Sequence, residues 1–194
     1  MYSLGIVRAG NYSREDLEDI GRRIASSFQG RIGSVEIENF PDTDMLEKYF
    51  VREDGMSAFD LVFISHFVEQ YYPRNDMLLC IIPYPISGPN RGTFADGLCT
   101  TQSITQIHSS FVSTYQHYMS PGMPAFTSRV SKVGAHEIGH YFGLEHHERL
   151  AATGSGKPCL MSPVPAFENE APGTVMDRQD YRFCKHCYDK LPAR

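Results

Sequence analysis

Nothing in the 194 residues is apolar for long enough to cross a bilayer: the stretches Phe59–Val68 and Met77–Ile82 stop well short of the roughly 20 residues that a spanning helix needs. The opening residues lack a basic segment followed by an apolar stretch and a small-residue cleavage site, because Tyr2–Val7 is short and charges follow soon after. No secretory leader is expected. A basic excess is missing as well, and a net charge of −5 argues against a nucleic-acid face. No repeat or low-complexity tract stands out. Gly154-Ser-Gly-Lys-Pro158 is not a phosphate loop, since the first glycine of that pattern is Ala151 and the lysine is followed by proline. A cytoplasmic chain with reduced thiols is expected. At 41% hydrophobic content, residues 1–194 can bury one sizeable core and read as a single domain.

What the chain does have is His136-Glu-Ile-Gly-His-Tyr-Phe-Gly-Leu-Glu-His146. Residues four apart on an α-helix lie on one face about 6 Å apart, so His136 and His140 can both reach one Zn²⁺. Gly143 can take the left-handed conformation that ends a helix and let the chain bring His146 back as a third ligand. The fourth position stays open for water. Glu137, beside the first ligand, is expected outside the coordination shell and within reach of that water as the general base. A chance match to the whole pattern in a chain of this composition is on the order of 10⁻⁴, which separates it from a bare five-residue coincidence.

A second donor set begins one residue later. His147, Cys159, Cys184 and Cys187 supply four soft or borderline donors, and Cys184-Lys-His-Cys187 has the spacing that clamps one zinc. Neighbours in an extended segment point to opposite sides, so His146 can face one metal and His147 the other. A closed Cys₃His site contributes to folding outright. His186 is the rival to His147. Cys80 and Cys99 remain, expected as reduced thiols, with a disulfide between them as the alternative.

Taken together, the eleven-residue motif, the soft ligand directly after it, Cys159-Leu-Met161 and the terminal C-x-x-C resemble the archaemetzincins, a branch of the metzincin zinc peptidases. The motif resemblance runs from His136 to Cys187. It implies a metzincin-like α/β (α+β) fold: a twisted mixed sheet with an active-site helix and a small zinc-stapled C-terminal subdomain. It also implies two zinc ions, the catalytic one on His136, His140 and His146 and the structural one on the cysteine set, with Glu137 as base and Met161 in the Met-turn beneath the metal. The chain departs from the family pattern at His147, where the family has cysteine, and in the long stretch from His147 to Cys159.

Coarse patterning fills in the rest. Ser3–Val7 reads as a strand, Ser13–Phe28 as a helix with Leu17, Ile20, Ile24 and Phe28 on one stripe and Ser13 and Asp16 as a capping pair, and Val35 and Ile37 as part of a half-exposed strand. A short helix follows from Asp42 or Thr43 to Tyr49. Phe59–Val68 and Met77–Ile82 read as central strands, with His66 a polar tail at a strand end. Ser103–His108 reads as an edge strand for an extended substrate or as a connecting loop, and His108 and His117 as solvent-facing. The active-site helix is expected from Pro124 to Phe142, packed closely through Gly134 and Gly139, and a last helix from Val175 to Lys190 should carry Cys184 and Cys187 on one face. An upper part of about 1–143 and a lower part of about 144–194 would flank the cleft.

The function expected is a monomeric zinc metallopeptidase acting on peptide or protein substrates, without nucleic-acid or membrane partners. The alternative is a zinc-binding peptide-recognition protein that keeps the site without turnover. A zinc-stabilised adaptor built on the C-x-x-C end rests only on Arg178, Arg182, Lys185, Lys190 and Arg194.

Overall fold

The computed structural model describes residues 1–87, 94–99, 109–116, 119–147, 151–162 and 176–193. Its elements are β1 (Tyr2–Arg8), α1 (Arg14–Ser27), β2 (Ile32–Asn39), α2 (Thr43–Met45, continued by a π-helical turn at Leu46–Phe50), α3 (Ala58–Tyr71), β3 (Met77–Ile82), β4 (Ile86–Ser87), β5 (Phe94–Ala95), β6 (Gly97–Cys99), β7 (Ser109–Ser113), α4 (Phe126–Tyr141) and α5 (Lys185–Lys190). No helix among the described residues is long and apolar enough to cross a membrane.

All six residues of β3 are buried, the signature of a strand covered on both faces. Its side chains alternate between two cores. Met77, Leu79 and Ile81 join the core under α1 and α4, while Leu78, Cys80 and Ile82 join the core under α3. The sheet order is β2-β1-β3-β7-β6; the first four strands are parallel, and β6 closes the edge antiparallel to β7. Leu17, Ile20 and Ile24 of α1 and its C-cap Phe28 are fully buried on the first side, each contributing about 1.5–3 kcal/mol through removal from water. Ser13 caps α1 by accepting the Asp16 amide at 3.0 Å.

The segment Phe59–Val68 is a helix, not the strand its β-branched and aromatic composition predicts. Two physical facts override composition. Parallel β2 and β3 lie on opposite sides of β1, so the chain between them must make a crossover of a dozen or more residues, which a helix supplies. Ser57 and Asp60 then form a reciprocal capping box, Asp60 N–H to Ser57 Oγ at 3.2 Å and Ser57 N–H to Asp60 Oδ2 at 2.9 Å. Leu61, Ile64 and Val68 face the sheet, and His66 is exposed on the helix, away from any ligand cluster.

Other boundaries shift as well. Asp42 caps α2 as expected, but the helix widens into a π turn before Tyr49. The active-site helix starts at Phe126, after a turn that contains Pro124. The predicted C-terminal helix is broken: Met176, Asp177 and Arg178 are helical, extended chain follows, and Cys184 is the extended N-cap of the six-residue α5. Tertiary hydrogen bonds hold that extended chain. Asp180 N–H donates to Pro158 O at 3.0 Å, and Leu160 N–H to Arg182 O at 3.3 Å. The expectations for Ser103–His108, His117 and Val175 lie outside the described residues. Among the described residues the sheet edge beyond β7 is β6.

Candidate active site and metal centres

Helix α4 is brought against the sheet by a missing side chain. A Cβ at Gly134 would stand 2.8 Å from Leu79 Cδ2 and 2.9 Å from Ile24 Cδ1, so a larger residue would have to displace both side chains to keep this approach. Further along, a Cβ at Gly139 would stand 2.7 Å from Met161 Sδ, so Met161 packs against the helix beside His140. The helix stops at Gly143, whose φ of 76° is the left-handed conformation expected there, with Leu144 N–H returning to Gly139 O at 3.0 Å.

The turn carries His146 back to the helix. The three Nε2 atoms converge, with His136–His146 at 2.9 Å, His136–His140 at 3.2 Å and His140–His146 at 3.1 Å. Two of these imidazoles have their tautomer set by the backbone: Nδ1 of His136 meets the Leu160 carbonyl at 2.7 Å, and Nδ1 of His140 meets the Leu144 carbonyl at 2.7 Å. A carbonyl only accepts, so each Nδ1 carries the proton and each Nε2 presents a bare lone pair. Lone pairs facing one another at 3.2 Å repel unless a cation lies between them. Nitrogens bound to a tetrahedral zinc at about 2.0–2.1 Å stand about 3.3 Å apart, so the donor set fits that ion. Burial also lowers the pKa of His136 to about 4, offset in part by its Leu160 bond, which keeps the ring neutral and able to ligate.

Glu137 lies outside this triad and is almost wholly buried. Burial raises its pKa to about 8; the Cys99 backbone N–H, donating to the carboxylate, works against the rise, and the charge of Asp96 adds to it. The residues open onto a cleft of about 710 Å³ whose walls include Asp96, Gly97 and Cys99 from the sheet edge, Leu144–His146 below, and Met176 and Gln179 from the C-terminal segment.

The sequence did not point to the edge wall or to Lys132. Lys132 precedes His136 by four residues, so it shares that helical face, the one signal that was there to read. Its ammonium donates to Met176 O at 2.7 Å and sits 4.9 Å from the centre of the Tyr181 ring, while burial lowers its pKa. Nearby, Arg129 holds Asp177 with two bonds of 2.9 and 2.7 Å. Together they fasten the C-terminal segment along the cleft.

The second donor set also assembles. His147 Nε2 lies 3.4 Å from Cys184 Sγ and 3.3 Å from Cys187 Sγ; Cys187 Sγ lies 3.9 Å from Cys159 Sγ and 3.8 Å from Cys184 Sγ. Sulfurs bound to a tetrahedral zinc at about 2.3 Å stand about 3.8 Å apart, so these positions fit a closed site. Hydrogen bonding from Cys187 lowers the Cys159 pKa to about 5, against burial. His146 and His147 do turn to opposite sides. His186 is exposed and outside the cluster, its ring 6.1 Å from that of His147. Cys80 is buried in β3, Cys99 faces the cleft, and neither forms a disulfide.

Neither a protein-family model nor a curated protein matches the sequence. Solved structures do. An archaemetzincin from Methanopyrus kandleri superimposes with a TM-score of 0.67 at 19% identity, covering 97% of this chain and 92% of that one. The chain has the archaemetzincin fold. A zinc-dependent peptidase from Methanocorpusculum labreanum (TM-score 0.63, 19% identity, 97% and 100% covered) and a malonate complex of an archaemetzincin from Archaeoglobus fulgidus (0.63, 18%, 97% and 99%) share it. Within this archaemetzincin fold, the second cluster of the present chain contains an imidazole among three thiols.

Proposed function

We propose that the protein is a zinc-dependent peptidase of one domain, with a catalytic zinc on His136, His140 and His146 and a structural zinc on His147, Cys159, Cys184 and Cys187. The observation that carries the reading is the convergence of three Nε2 atoms within 3.2 Å, two of them held as bare lone pairs by Leu160 and Leu144, at the floor of an open cleft. The solved relative from Methanocorpusculum labreanum, a zinc-dependent peptidase, supports it. The bound zinc would supply Lewis-acid polarisation of the scissile carbonyl and a water of lowered pKa.

The chain's own groups do the rest. Glu137 takes a proton from the attacking water and returns it to the leaving amine. The Cys99 amide donates to its carboxylate and so favours the charged, proton-accepting form against the effect of burial. The imidazoles of His136 and His140 are fixed by carbonyls, so they need no reorganisation during turnover. Met161 packs under Gly139 and supports the turn that carries His140. In the second site, three thiolates and one imidazole leave no open position, which suits a staple for a segment of poor apolar patterning.

Mass-spectrometric profiling of a peptide library tests the reading. Cleavage should stop on chelation and return with zinc. Two bound zincs with no hydrolysis of any peptide would instead favour a peptide-recognition protein.

A further inference from the structure

We infer that Gly97, on the edge strand β6, is a positioning residue for the Glu137 carboxylate, and that β6 acts as a clamp on this base. This rests on the peptidase reading for its catalytic consequence and on geometry alone for the clamp. A Cβ at Gly97 would stand 2.7 Å from Glu137 Oε1, 2.9 Å from Glu137 Cγ and 2.7 Å from Val133 Cγ1. Contacts under 3.0 Å are not tolerated without movement, so the strand lies on the glutamate as closely as a backbone can. Gly97 has no positive φ. Its role is therefore space, not backbone freedom.

The second half of the clamp is two residues on. The Cys99 N–H donates to the Glu137 carboxylate. Antiparallel pairing of Gly97 with Val112 and of Cys99 with Ser110 fixes the height of β6, and Ser113 N–H to Asp96 O at 2.9 Å anchors its start. One side of the carboxylate is thus blocked by backbone at Gly97 and the other is tied to an amide, leaving a single orientation. A base needs this, because misplacement by about 1 Å can cost about 10²-fold in rate. Two side-chain ends are equally near the absent Cβ, the Glu137 carboxylate oxygen and the Val133 methyl. An alanine there must push both back, and it is the displacement of Glu137 that the chemistry does not survive.

The test is Gly97→Ala, purified with its metal, studied by peptide kinetics and crystallography. The variant should keep its zinc stoichiometry and melt close to wild type, with KM nearly unchanged and kcat down about 10-fold or more. Its crystal structure should show the Glu137 carboxylate displaced while His136, His140 and His146 stay in place. Cys99→Pro, which removes the N–H and puts the ring Cδ where its hydrogen pointed at the carboxylate, should also displace Glu137 and lower kcat. An outward N–H on an edge strand can be lost without breaking the ladder, so this variant keeps the experiment decisive if Gly97→Ala fails to fold. Folded, zinc-loaded variants with unmoved carboxylates and wild-type kcat would overturn the clamp. If wild-type protein hydrolyses no peptide, the peptidase reading falls, and the crystallographic position of Glu137 still decides the clamp.

Discussion

The Leu160 carbonyl accepts the Nδ1 proton of His136 at 2.7 Å, although Leu160 stands between Cys159 of the thiolate cluster and Met161 beneath the helix. The tripeptide Cys159-Leu160-Met161 therefore touches both donor sets. Met161 O also accepts the His147 N–H at 3.0 Å, so the link is closed from the other side through His146-His147.

This coupling has a measurable consequence. Cys159→Ser should empty the second site and also weaken zinc at the histidine triad by about 10–100-fold, the usual cost of losing an outer hydrogen bond to a ligand imidazole. Elemental analysis with competitive chelator titration reads both sites. Triad affinity unchanged after loss of the second metal would show that the sites are independent.

The second donor set predicts unequal responses at His147. His147→Cys should keep a full complement of metal, because thiolate replaces imidazole at a tetrahedral zinc without a change of geometry. His147→Ala should lower metal content at the thiolate cluster and destabilise the C-terminal segment. Proteolysis confined to residues beyond Pro158 in the alanine variant would match this; a fully loaded alanine variant would not.

Much of this was legible in the sequence, and the reasons differ by element. The histidine triad follows from helical spacing plus one left-handed glycine, both local properties, and the structure reproduces them at Gly143. His147 was recoverable because adjacent residues in extended chain diverge. The Phe59–Val68 helix was not, since its composition favours a strand and only the positions of β2 and β3 around β1 demand a crossover there. Gly97 and Lys132 escaped notice because their partners, Glu137 and the Met176 carbonyl, are 40 and 44 residues away; the four-residue spacing of Lys132 from His136 marks a shared helical face but not the partner across the cleft. The broken C-terminal helix failed for a similar reason: its backbone bonds go to Pro158 and Leu160 rather than to itself.

Two glycines of the active-site turn should respond differently to alanine. Gly143→Ala meets open space but must keep a φ of 76°, so a loss of about 1 kcal/mol is expected, largely restored by asparagine. Gly139→Ala has ordinary helical backbone but drives a methyl toward Met161 Sδ, and a loss of about 1–3 kcal/mol is expected, relieved by pairing it with a smaller residue at 161. Thermal melts of the single and double variants separate strain from crowding.

With the open site emptied by a chelator, the two buried titratable groups should act in opposite directions. The folded state holds the Glu137 proton up to about 8, while the unfolded chain releases it near 4.5, so stability falls as pH rises through that window. His136 titrates near 6.5 when unfolded and about 4 when folded, so its contribution falls as pH drops between those values. Glu137→Gln should therefore stabilise the emptied protein progressively from about pH 5 to 8, by at most about 1.4 kcal/mol per pH unit, and no further above. Denaturant midpoints across pH give the curve, and a constant difference would contradict it.

The most direct test of the account is Glu137→Gln assayed beside wild type for both zinc content and peptide hydrolysis. The variant should bind zinc at the wild-type stoichiometry while kcat/KM falls by about 10² or more, as expected when a general base is removed. Loss of the triad's zinc would make Glu137 a ligand, and undiminished hydrolysis would remove it from the mechanism.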